Sequence, residues 1–173
     1  DHFLRSDSAF EHAEDLYSEA SQIKKMSPED QIRVIANCAL IDFQILNKVG
    51  AQTLTQDRIL RCVERERLLV RQGQRLLDQV IVDHKVYVNR TIGYAGAALL
   101  WANIRADGDS PQFYTSGRNW IFKTLSEPYP RNDMHWYNAL EIGEVQLERG
   151  LPHAEEFADD LLKVGADTSN REQ

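Results

Sequence analysis

Thr91-Ile92-Gly93-Tyr94-Ala95-Gly96-Ala97-Ala98-Leu99-Leu100-Trp101-Ala102-Asn103-Ile104-Arg105 is the stretch on which the fold turns. Read as a helix it is apolar on nearly every side. Gly93, Gly96, Ala97 and Ala98 leave room for close helix contact, so this segment is expected at the centre of a helical core. Its most apolar part, Ile92 to Ala102, falls far short of the roughly 18 consecutive apolar residues of a membrane span, so no bilayer crossing is expected.

Just upstream, Val80 to Val88 (VIVDHKVYV) is β-branched around Asp83-His84-Lys85 and suits either a short hairpin or helix with a break. The flanking helical patterns favour the second. Before it, Thr55 caps a helix whose Ile59, Cys62, Val63, Leu69, Val70, Leu77 and Val80 share an arc of about 140°. Arg61, Arg67, Arg71 and Arg75 lie off that arc as a basic strip, expected to be a solvated face pairing with Glu64 and with an acidic first helix.

Further upstream, Ser27-Pro28-Glu29-Asp30 opens a helix that runs to about Val49 and stops at Gly50. Ser27 suits the cap, Pro28 the first position, and the acids the positive end of the helix dipole. Ala9, Ala13, Leu16, Ala20 and Ile23 stripe an earlier helix over roughly 7–25.

Downstream, Phe113, Tyr114, Trp120, Phe122, Tyr129, Trp136 and Tyr137 crowd one segment. Core is the plain use for them, but Glu127-Pro128-Tyr129-Pro130 has to be a connection, and an aromatic on such a loop can line a groove. A helix over about 134–149, a stop at Gly150, a short helix from Pro152 to Val164 and a flexible polar tail over 166–173 complete the chain. Ala39, Ala97 and Ala139 stand at one fixed distance before Gly50, Gly108 and Gly150, which suggests stacked helical hairpins. The last unit, with Ile142, Gly143 and Gly150, is similar in part to the first helix of a tetratricopeptide repeat, but Ala139 and Gln146 stand where that family prefers large aromatics and the glycines are unevenly spaced. No family is assigned on it.

The expectation is therefore an all-α single domain over 1–173, with six or seven helices packed as antiparallel hairpins. A chain of 173 residues can build such a core without disulfides. A net charge of −7 argues against general nucleic-acid affinity. The first residue is Asp1, so an N-terminal piece is expected to be missing and the compartment stays open, secretion included.

Two carboxylates break the apolar arcs. Asp42 falls among Cys38, Ala39, Ile45 and Leu46, and Glu66 among Cys62, Val63, Leu69 and Val70. A tight antiparallel turn near 50–54 sets Cys38 against Glu66 and Asp42 against Cys62. That layer could ligate zinc, hold paired carboxyls with one raised pKa, form a disulfide between Cys38 and Cys62, or make a polar network neutralised by Arg90, His84 or Arg118. Helical His-x₃-His and Glu-x-x-His pairs, Gly-x-Ser-x-Gly and the Gly-rich phosphate loops do not occur. Asp83-His84 and Met134-His135-Trp136 could each set an imidazole in a cleft, and Asn89-Arg90-Thr91 satisfies the glycosylation triplet.

These readings favour a non-enzymatic interaction or assembly domain that holds a protein or peptide partner on an aromatic surface anchored by Trp120, Tyr129, Trp136 and Tyr137. No cofactor is expected in that case. The alternative is a small-molecule or metal-binding helical protein, an enzyme among the options, built on Cys38, Asp42, Cys62 and Glu66.

Overall fold

Ser27 Oγ accepts the backbone N–H of Asp30 at 3.2 Å, and the helix it caps starts at Pro28, as the Ser-Pro-Glu-Asp run requires. The computed structural model describes residues 26–48, 54–127 and 133–171. Its helices are α1 (Pro28–Lys48), α2 (Gln56–Leu76), α3 (Lys85–Arg105), α4 (Pro111–Ser126), α5 (Asp133–Glu148) and α6 (Ala154–Arg171). The fold is all-α, with no strand among the described residues and no helix long and apolar enough to cross a membrane. The helix expected over 7–25 and the stop at Gly50 lie outside the described residues.

The sequence-adjacent helices run antiparallel. Gly73 of α2 sits beside Ile32 of α1, while Arg65 reaches Asp42 further along, so residue numbers rise on one helix as they fall on the other. In the second pair Gly96 lies against Ile121 and Leu100 against Gly117, and in the third Gly143 meets Leu161 while Trp136 reaches Gly165. Helix α3 is central and packs against α1, α2, α4 and α5. Ala95, Ala97, Ala98, Leu99, Leu100 and Ala102 are fully buried, and sealing each leucine from water contributes about 1.5–3 kcal/mol.

Small residues on α3 set its distance from its neighbours. A Cβ on Gly96 would lie 2.8 Å from the backbone nitrogen of Ile121 and 3.0 Å from the Gly117 carbonyl oxygen, so α3 and α4 cross backbone to backbone. Gly93 lies directly beneath the His135 ring of α5, where a Cβ would approach the imidazole to 2.5 Å.

Residues 80–88 are helix with a break, the reading the flanking patterns favour: a turn after Leu76 leads into a 3-10 turn at Val82–His84, and α3 begins at Lys85. Ile81 and Val82 are exposed, so the β-branched run has no sheet against which to bury. The last helix starts at Ala154 because His153 takes a left-handed φ of 67°, and it continues to Arg171 through the expected end at Val164 and into the expected tail. Gly165 does not stop it, and the Trp136 ring of α5 packs beside that residue. Gly108 and Gly150 do end helices with φ of 82° and 59°, the role assigned to them from spacing.

Candidate functional site

Two places gather the residues that carry chemistry. The first is an open groove of about 690 Å³ between α2 and α4. Helix α2 turns its apolar arc inward, which leaves Glu64, Arg67, Leu68, Arg71 and Gln74 on the face beside α4, while α4 contributes Ser116 and Trp120. Trp120 is half-buried and packs on both parts of the hydrophobic core, so its indole is held rigidly at the groove wall. Arg67 lies over the Phe113 ring at 5.8 Å, and Arg71 Nε donates to the Arg67 carbonyl oxygen at 3.2 Å. Among the described residues Arg61 is paired with Asp57 at 2.9 Å, whereas Arg67, Arg71 and Arg75 have no carboxylate partner. The expected pairing of the basic strip with Glu64 does not form, and the acidic first helix lies outside the described residues.

The described aromatic anchors, Trp120, Trp136 and Tyr137, point to different parts of the molecule. Trp120 lines the groove, Trp136 packs half-buried toward Gly165 of α6, and Tyr137 points outward from α5 at 65% exposure. One residue along a helix is a turn of about 100°, which sends Trp136 and Tyr137 different ways. Tyr129, with Pro128 and Pro130, lies outside the described residues. Phe113 and Tyr114 are core.

The second place is the layer between α1 and α2. Asp42 and Glu66 are completely buried, and Cys38 and Cys62 lie with them as free thiols, so no disulfide joins them. Asp42 accepts two bonds from Arg65, from Nη2 at 2.7 Å and Nε at 3.2 Å, and it also bonds the Cys62 thiol. Arg65 Nη2 stands 3.5 Å from Cys62 Sγ. Among the described residues neither oxygen of Glu66 has a hydrogen-bond partner. Burial, reinforced by the charge on Asp42, raises its carboxyl well above the ordinary glutamate range. Glu66 is thus the neutral acid of the pair and Asp42 the carboxylate, balanced by Arg65. Burial, followed by the Asp42 charge, pushes the Cys38 thiol up to about 11 and the Cys62 thiol higher still. Both thiols stay protonated, which makes them poor nucleophiles.

The sequence named the wrong neutralising partner for this layer. His84 meets Arg33 at 2.7 Å, Arg118 pairs with Asp160, and Arg90 lies over the Tyr87 ring at 5.3 Å. Arg65 was missed because it sits at the rim of the apolar arc, from which a long side chain reaches inward. Among the described residues no group of three or more His, Cys, Asp or Glu side chains is arranged to hold a metal ion. His135 is core rather than cleft: its ring meets Tyr94 edge-on at 5.0 Å, and burial pushes its pKa down to about 4. Asn89 is buried within α3, so the glycosylation triplet offers no accessible acceptor. The chain matches no known protein-family model, and no curated protein or solved structure is significantly similar to it.

Proposed function

We propose that this is a non-enzymatic interaction domain whose groove between α2 and α4 takes an acidic, amphipathic segment of a protein partner. One observation carries the reading: two arginines without carboxylate partners, Arg67 and Arg71, flank an open groove walled by Trp120, in a chain whose net charge is −7. A guanidinium is bidentate toward carboxylates, so this pair selects acidic side chains spaced one helical turn apart. Trp120 and Leu68 offer the partner's apolar residues a rigid aromatic wall and an exposed aliphatic floor.

The test is a displayed library of helical peptides selected against the folded chain. Enrichment of sequences that place acids four apart beside aliphatic residues, with binding lost in Trp120→Ala and in Arg67→Glu/Arg71→Glu, supports the reading. Binders that ignore all three substitutions, or a preference for nucleic acid over acidic peptide, overturn it. Because the contact is partly exposed, raising ionic strength from low to physiological should weaken binding several-fold.

A further inference from the structure

Helix α5 mixes polar groups into its buried face and apolar ones into its exposed face. Toward the core it buries Ala139 and Ile142, but also His135, Asn138 and Gln146, and among the described residues Asn138 Nδ2 and both polar atoms of the Gln146 amide lack hydrogen-bond partners. Toward solvent it exposes Met134, Tyr137, Leu140 and Leu147, each by about half or more: 55%, 65%, 57% and 48%. At 100° per residue these four fall on one arc together with Glu144 and Glu148, which are exposed and have no ion-pair partner among the described residues. Glu141, on the same arc, accepts a bond from Asn47 Nδ2 at 3.4 Å. An exposed apolar stripe of this size, with acids set among its residues, marks an interaction surface.

The groove on α2 carries the complement. Arg67 and Arg71 are four residues apart, as are Glu144 and Glu148, and four residues of helix span about 6 Å on either partner. Exposed Leu60, on the same face of α2 but beyond the groove lining, precedes Arg67 by the same seven residues that separate Tyr137 from Glu144. In that register Glu144 and Glu148 stand opposite Arg67 and Arg71, while Glu141 falls opposite Glu64 of the groove lining.

Resting on the proposed reading of the groove, we infer that its occupant is α5 of a second copy of this chain, docked with Glu144 and Glu148 against Arg67 and Arg71. Because the two surfaces differ, the contact is head-to-tail: each copy donates one face and offers the other, which yields a closed ring or an open chain.

Sedimentation velocity on the whole chain over a range of concentrations tests this, with far-UV circular dichroism confirming that each variant folds. The wild type should self-associate, and less so as salt is raised. Arg67→Glu/Arg71→Glu and Glu144→Arg/Glu148→Arg should each associate at least tenfold more weakly. Mixed one to one, the two variants should regain association, because each then meets the opposite charge. Folded variants that associate like the wild type, or a mixture that stays monomeric, overturn the inference. A wild-type chain that stays monomeric yet binds acidic peptides through Arg67 and Arg71 overturns self-docking alone; one that does neither overturns the groove reading as well.

Discussion

Arg65 grips Asp42 through two guanidinium nitrogens, at 2.7 and 3.2 Å, in a layer where the carboxylate is wholly buried and the arginine only partly so. The bidentate geometry offsets the cost of desolvating the carboxylate, and removing the cation strands a buried charge. Arg65→Ala should therefore lower stability by about 3–5 kcal/mol, read from the urea midpoint. Arg65→Met combined with Asp42→Leu should recover most of that loss. A double variant no better than the single one would mean that packing, not charge, dominates the layer.

Glu66 and His135 set opposite pH edges. A carboxyl raised above its ordinary 4.5 stays protonated in the folded chain while the unfolded chain ionises it. Its contribution is complete below that value and declines as pH climbs toward the raised one. Glu66→Gln should flatten the decline in stability between pH 5 and pH 8, measured by urea denaturation at each pH.

His135 behaves in the reverse sense. Its folded pKa lies at about 4 against an ordinary 6.5, so stability is intact above 6.5 and is lost as pH falls through the interval. The loss across that window is roughly 3 kcal/mol for a ring so fully buried. Nuclear magnetic resonance of the His135 ring should show no protonation at pH 6; an imidazolium there would contradict its packing over Gly93.

Glycine-to-alanine substitutions should differ in size by position. At Gly96 the new methyl meets two backbone atoms, at 2.8 and 3.0 Å, so α3 and α4 have to separate, at about 1–3 kcal/mol or more. At Gly143 the nearest atom is Leu161 Cδ1 at 3.3 Å, a side-chain tip that can swing aside, and the gain in helix propensity, up to about 1 kcal/mol, offsets the crowding. Thermal midpoints of the two variants decide the matter: Gly96→Ala should fall well below the wild type and Gly143→Ala stay close to it.

Both cysteines are buried, and Cys38 does not ionise until pH is about 11. A thiol reagent at pH 8 should label neither in the folded chain and both once urea unfolds it. Rapid native labelling would mean that α1 and α2 open readily.

Local chemistry made much of this legible. Ser27 and Thr55 cap the helices they were expected to cap, with the Arg58 N–H bonded to Thr55 Oγ1 at 3.4 Å. Few residues separate α1 from α2 in the sequence, so an antiparallel pairing leaves little choice of register, which is why Cys62 could be set against Asp42 from numbering alone. Arg65 was hidden because periodicity marks where a Cα lies, not where a long side chain ends. The groove was hidden because it depends on α4 lying beside α2, a relation set by the path of α3 and not by any adjacent residues. Nearness in sequence does not carry the described aromatics to one place, because Trp120 and Trp136 belong to different helices.

The bare backbone at Gly96 does more than let two helices touch. A Cβ there would lie 3.1 Å from the Cβ of Trp120, the residue that walls the groove. The missing methyl therefore acts as a caliper: it fixes how near the indole stands to Arg67 and Arg71, and with that the thickness of whatever fits between them. Selectivity for the occupant is written in part at a position the occupant never meets.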